Sequence, residues 1–257
     1  SSDLGQNLQD HFGTLVANET HAEGTVWASV RPHRLPGQLW NYLSRRQGLL
    51  AMPSSDVCVF HESGFGEPGR PDIQVHFTPA AGIHDEVTGR SAMDPMPGVT
   101  AITYPMHPTS RGDVLITSSE IDAAPQIRAN YLSTEHDRRV LLSGIRMLRK
   151  IYDSEPMRAY RSAEIRPGAA AQSDEALLIK AGQQGTTGYH PVGTCRMGTD
   201  QDAVIDPELK LRGLSGLSVI DASVMPKLTS GNTMAATYMI AEYGAAKLLR
   251  DASGGGV

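Results

Sequence analysis

Gly188-Tyr189-His190-Pro191-Val192-Gly193-Thr194-Cys195-Arg196-Met197-Gly198, with Ser230-Gly231-Asn232-Thr233 further on, is the stretch on which the reading of this chain turns. An imidazole is the side chain whose unperturbed pKa lies nearest physiological pH. His190, held between a Pro and two glycines, is therefore suited to take a hydroxyl proton without prior ionisation. Asn232 offers an amide to steady the oxygen anion left behind. Taken singly, a histidine in a tight turn needs no function, and an Asn ahead of an Ala-rich helix reads as an N-cap. For Asn232 the two roles are compatible, since a helix N-terminus also carries partial positive charge.

A length of 257 residues suffices for one large domain or two modest ones around a proper core. The formal net charge of -5, with signs mixed, leaves no basic surface of the kind that neutralises phosphates, so no nucleic-acid partner is expected. Cys58 and Cys195 are too few for a disulfide framework and are expected as reduced thiols. No apolar run approaches the roughly 20 residues of a membrane-spanning helix. The histidines show no His-x-x-x-His or Cys-x-x-Cys pairing, so no metal is expected. Asn18-Glu19-Thr20 matches the glycosylation sequon, a short match that is usually accidental.

Strand-like runs occur at Val57-Phe60, Ile73-Phe77, Thr100-Tyr104 and Asp113-Thr117, with Gly/Pro punctuation between them. Such short connections favour an antiparallel sheet. Glu135 to Ile151 has helical periodicity, with Val140, Leu141, Ile145, Leu148 and Ile151 on one face and Arg138, Arg139, Arg146, Arg149 and Lys150 mostly on a solvated one. Ser173-Asp174-Glu175 opens a second helix with a cap and an acidic first turn. Leu217-Asp221 reads as a buried strand, Asn232 to Arg250 as a long helix, Gly254-Gly256 as a frayed tail, and Met197, Met225, Met234 and Met239 as packing.

Gly64-Phe65-Gly66-Glu67-Pro68-Gly69 satisfies the letters of a dinucleotide-binding loop. Pro68, Pro71 and the strand-like Ile73-Phe77 follow where a phosphate-binding turn would open a helix, so a hairpin loop is expected instead.

Three further stretches carry a resemblance: Asn7-Leu8-Gln9-Asp10-His11, the segment from Pro108-Thr109-Ser110-Arg111-Gly112-Asp113 to Asn130-Tyr131-Leu132, and Gly216-Leu217-Ser218-Val219-Ile220-Asp221-Ala222-Ser223-Val224-Met225-Pro226. With the His190 and Asn232 motifs they resemble the glucose-methanol-choline (GMC) family of flavin oxidoreductases over nearly the whole chain. The resemblance implies an α+β / α/β fold: an antiparallel-sheet substrate domain with helices, plus the C-terminal strand and helix that complete a Rossmann-like FAD domain. It assigns residues 1–13 to the tail of the FAD domain, 14–185 to the substrate domain, and 186–257 to the catalytic motif and the end of the FAD domain. The family's Gly-rich, pyrophosphate-holding start is absent, so the N-terminal FAD-binding half is expected as a separate chain or a missing segment.

The same resemblance implies oxidation of a CH–OH group, with His190 as base, Asn232 beside it on the oxygen, and hydride passing to FAD. Asp221, Ala222, Asn232, Thr233 and Met234 are the expected cofactor contacts; Tyr189, Ser55 and Cys195 are candidates for the substrate pocket. Arg111 is given a structural role in a turn and a surface salt bridge. The substrate is a small alcohol, and oxygen or a quinone-type acceptor takes the electrons. Choline-oxidising members carry a Glu near the position of Met52-Pro53-Ser54-Ser55, where this chain has no carboxylate before Asp56, so a neutral primary alcohol is preferred to a quaternary ammonium. Two alternatives stand beside this reading: a hydroxynitrile lyase on the same fold, and a non-catalytic partner half of a split protein. A cytoplasmic location is expected, with secretion or membrane association left open by the missing N-terminus.

Overall fold

The computed structural model describes residues 3–53, 55–85 and 90–253. Ser54 and the glycine tail Gly254–Gly256 lie outside them. In chain order the elements are β1 (Phe12–Thr20), α1 (Val26–Ser29), α2 (Leu35–Arg45), β2 (Val57–His61), β3 (Ile73–Thr78), β4 (Gly82–Asp85), β5 (Arg90–Met93), β6 (Gly98–Pro105), β7 (Asp113–Leu115) and β8 (Gln126–Arg128). After these come α3 (Glu135–Tyr152), α4 (Glu155–Arg158), β9 (Arg161–Arg166), α5 (Asp174–Gln184), β10 (Thr186–Thr187) and α6 (Met234–Ala252). Two compact units result. The first gathers residues 1–12, 106–138 and 187–257, and the second residues 13–105 and 139–186. The segment 106–138, read in sequence as part of a 14–185 domain, groups with the first unit.

The second unit is built on a sheet of order β10-β1-β6-β3-β2, with β9 also on β1. The pairs β1·β6, β3·β6, β2·β3 and β1·β9 are all antiparallel, as the short connections predict. The Gly64–Gly69 segment is the loop of the β2–β3 hairpin, so the expected hairpin is the observed one. Residues alternate across a strand, and one face of the sheet buries Val16, Val75, Ala101 and Thr103. Helix α3 supplies Val140, Leu141, Ile145, Leu148 and Tyr152 to the same core. Its spacing gives those apolar residues one stripe, and the carboxylates Glu135 and Asp137 in its first turn suit the helix dipole. Ser173 caps α5 through a bond from the Ala176 N–H, as its sequence predicts. Arg149 departs from the solvated face expected of it and forms a two-pronged pair with Glu164 on β9, at 2.9 and 2.7 Å. Arg166 and Asp94 make a second, buried pair of this kind at 2.7 and 2.8 Å. Asn18 is fully buried in β1, so the sequon is not presented to solvent.

The first unit holds a smaller apolar core of Val192, Val204, Ile205, Leu209, Val224, Met225, Leu228 and Ile240. Leu217–Asp221 is not the buried strand its composition suggests. Leu217 is half exposed, and the segment makes one isolated bridge, Lys210 to Ser218, with flanking bonds to Leu209 and Leu211. A central strand needs a hydrogen-bonding neighbour along each edge, and among the described residues the backbone of this run bonds in this way to the 209–211 segment alone. Asp221 instead caps the single 3-10 turn Ala222–Val224. Helix α6 starts at Met234 and buries Ile240 and Gly244. Met234 and Met239 are about two-thirds exposed, so of the four C-terminal methionines only Met197 and Met225 pack here.

A tight approach of α3 to the sheet occurs at Gly144, where an added Cβ would lie 2.3 Å from the Thr103 hydroxyl oxygen. Gly144→Val is expected to lower unfolding stability by about 1–3 kcal/mol through overpacking. Gly37→Ala in α2, where a Cβ meets nothing within 4 Å, is expected to raise it by about 0.5–1 kcal/mol. Denaturant midpoints of the two variants are the check.

Candidate active site

The site is assembled by two chain segments that zip together. Gln9 and Val192 exchange backbone bonds in both directions, at 3.0 and 2.9 Å, and the Gly188 N–H donates to the His11 carbonyl at 2.5 Å. Gly193 sits at φ +95°, and a Cβ there would come within 2.4 Å of the Asn7 carbonyl, so this close approach requires glycine. Gln9, almost fully buried, donates from Nε2 to the Pro226 carbonyl at 3.0 Å and accepts the Leu228 N–H on Oε1 at 3.2 Å. Residues 7–11, part of the stretch that the resemblance assigns to the tail of the FAD domain, thus lie against the segment that carries His190.

His190 is anchored through its backbone. Its N–H donates to Asp10 Oδ1 at 2.9 Å, while Asp10 Oδ2 accepts the Tyr131 hydroxyl at 2.5 Å and the Thr187 hydroxyl. Tyr131 also stacks on Phe12, with ring centroids 4.8 Å apart. Just before the histidine, Tyr189 adopts the left-handed φ of +58°, an uncommon conformation for a non-glycine residue. Tyr189 is 70% exposed, whereas His190 is half-buried.

The imidazole edge has one partner at each nitrogen. Nδ1 is 3.0 Å from Nδ1 of His11, and Nε2 is 3.1 Å from the amide nitrogen of Asn232. His11 is fully buried, with its own Nε2 3.0 Å from the Met106 carbonyl. Burial pushes the His11 pKa down to about 4 against the opposing Met106 bond, and the neighbouring His190 and His107 add to the drop while Asp10 resists it. Burial also lowers the His190 pKa, with the Asp10 carboxylate pulling it back up. Both rings are accordingly neutral at physiological pH.

Asn232 does not cap α6. Thr233 takes the N-cap position, without a side-chain bond, and Asn232 lies one residue further out, exposed, with its amide on His190. Gly231 before it has φ +106°, and Ser230 meets His107 Nε2 at 3.3 Å. The sequence therefore identified both members of the His190–Asn232 pair, while the N-cap reading of Asn232 is replaced by a direct contact between them. Asp10, His11, His107 and Tyr131 escaped sequence reasoning. Asp10, His11 and Tyr131 lay inside stretches that carried the resemblance but were given no role, and His107 had no signal.

The other expected residues fall in different places. Asp221 is exposed and turns its carboxylate onto the Ser223 N–H at 2.8 Å, with Ala222 next in the same 3-10 turn. Cys195 donates its backbone N–H to the Ser223 carbonyl and packs its thiol against the first unit's apolar core. Ser55 belongs to the second unit and donates its hydroxyl to the Phe77 carbonyl at 2.9 Å. The Arg111 head group donates to Asn7 Oδ1 and to the Pro108 and Ser110 carbonyls, a bracing role in place of the expected salt bridge. Both cysteines are free thiols.

A family model described as GMC oxidoreductase matches residues 108–241. The chain is 38% identical over 251 residues to an alcohol dehydrogenase (acceptor) of Pseudomonas putida, covering 96% of this chain and 44% of that protein. To an oxygen-dependent choline dehydrogenase of Photobacterium profundum it is 37% identical over 250 residues, covering 96% and 43%. The chain thus spans less than half the length of these curated relatives. Among solved structures it is similar to pyridoxine 4-oxidase from Mesorbium loti, at TM-score 0.75 and 29% identity, covering 95% of this chain and 43% of that one. Formate oxidase of Aspergillus oryzae RIB40 shares the fold at TM-score 0.85 and 19% identity, covering 97% and 48%. The motifs around His190 and Asn232 lie inside the matched span, and on that match the chain belongs to the GMC oxidoreductase family.

Proposed function

We propose that this chain forms the catalytic side of an FAD-dependent oxidoreductase that removes a hydride from a CH–OH group, with His190 as the base. The observation that carries the reading is the 3.1 Å contact between His190 Nε2 and the Asn232 amide, on a histidine whose backbone is tied to Asp10. A hydroxyl entering beside that contact meets a proton acceptor and an amide donor together. His190 Nε2 takes the hydroxyl proton, and Asn232 donates to the oxygen as negative charge grows on it. The Asp10 carboxylate then stabilises the cationic imidazolium.

The residues fit an FAD group. Thr233 leaves the positive end of a 19-residue helix without a side-chain acceptor, which suits an electron-rich ring or phosphate oxygen. Asn232, Thr233 and Met234 would hold the group at that end, with Asp221 and Ala222 along its chain. Bound FAD supplies the two-electron acceptor, and oxygen or a quinone-type acceptor restores it. Met234, Tyr238, Met239 and Tyr243 line an exposed, apolar run of α6 that an N-terminal FAD-binding part of the protein would cover. A neutral primary alcohol is the substrate we favour, because the only carboxylate near Met52–Ser55 in sequence is the exposed Asp56.

His190→Ala in the FAD-loaded enzyme is expected to keep its flavin and slow anaerobic reduction by alcohol about 10²–10⁴-fold. Unchanged reduction would remove His190 as base. No bleaching of the wild-type flavin by any alcohol would favour the lyase reading. Asn232→Ala is expected to cost about 10²–10³-fold in the same stopped-flow assay, on the scale of one lost oxyanion donor. Since the His190 pKa lies below its ordinary 6.5, the base form is present at neutral pH and is lost as pH falls through the lowered value. The acid limb of kcat/KM should therefore lie below pH 6.5 and vanish in His190→Ala.

A further inference from the structure

We infer that His11 is a positioning residue that fixes the tautomer of His190, so that the lone pair on Nε2 is in place before substrate arrives. The inference rests on the reading of His190 as base and is carried by donor and acceptor parity along four groups.

The Met106 carbonyl can only accept, and it lies 3.0 Å from His11 Nε2. That nitrogen must carry hydrogen, since the other tautomer would set a lone pair against a carbonyl oxygen inside the protein. His11 is fully buried and held neutral by that burial. A neutral ring has one N–H, so its Nδ1 is an acceptor. The His190 Nδ1 that faces it at 3.0 Å must then be the donor. With the His190 hydrogen placed on Nδ1, Nε2 is left with its lone pair, and the Asn232 group 3.1 Å away must be the amide NH₂. The edge-on arrangement of the two rings, centroids 5.1 Å apart and planes at 86°, suits an in-plane N–H to lone-pair bond.

One carbonyl thus sets four orientations in sequence: the His11 ring, the His190 ring, the basic nitrogen and the amide flip of Asn232. When His190 takes a proton at Nε2, its Nδ1–H goes on donating to His11, and no proton has to move between the rings. The charge is met by Asp10, which accepts the backbone N–H of the same residue. The device differs from a carboxylate behind a catalytic histidine, because orientation comes from a neutral ring and charge compensation from a separate group.

The test uses the FAD-loaded, full-length enzyme labelled with ¹⁵N at histidine ring nitrogens, studied above neutral pH. In wild type, His190 should show N–H at Nδ1 and a lone-pair signal at Nε2. His11→Leu removes the acceptor; an Nε2–H population of His190 should appear, and anaerobic flavin reduction should slow at least about tenfold with flavin content unchanged. His11→Asn, whose Oδ1 can take the place of the lost nitrogen, should retain the wild-type tautomer and most of the rate. An Nε2–H signal for His190 in the wild type overturns the proposal, and it does so even if His11→Leu fails to fold. An unchanged tautomer in a folded His11→Leu overturns it as well. Failure of the base reading is separate: His190→Ala would then reduce at the wild-type rate while the tautomer pattern stood.

Discussion

A buried carboxylate must have its acceptor capacity met, and Asp10 meets it by drawing three donors from three stretches of chain. The backbone of His190 is one of them, so the position of the candidate base follows from the satisfaction of a charge near the start of the sequence. Tyr131, stacked on Phe12, and Thr187, at the end of the last strand, supply the others. The turn at Tyr189, the approach of Gly193 to Asn7 and the meeting of His11 with His190 all presuppose that anchor.

Electrostatics in the site work by exclusion more than by pairing. His11 and His190 are within hydrogen-bond distance, and two charged imidazoles there would repel strongly. Burial removes that state by pushing both pKa values down. What is left is a pair of neutral rings whose lone pairs and hydrogens can be assigned from one backbone carbonyl.

Features decided by local chemistry were legible in the sequence. Ser173 caps its helix, the β2–β3 loop rejects a phosphate-binding reading because of its prolines, and α3 has an apolar stripe with the spacing of its residues. Strands β9 and β10 were not foreseen, because their pairing with β1 depends on chain from far away in sequence. Leu217–Asp221 has the composition of a strand but lacks the neighbours that would make it one. In the site, His190 and Asn232 stand out through the short motifs that surround them and carry the family resemblance. Asp10 and His11 act through partners 180 and 179 residues away, and no window of sequence contains that relation.

Asn232 and His190 are 42 residues apart, and in an unfolded chain bringing two such points into contact costs several kcal/mol of loop entropy. The primary amide of Gln9 removes much of that freedom. By bonding the backbone at Pro226 and Leu228 while its own backbone pairs with Val192, it ties the approach to Asn232 to the segment that carries His190. The encounter of the candidate base and its neighbouring amide is therefore completed when the protein folds, and it would not recur as an activation barrier in the proposed reaction.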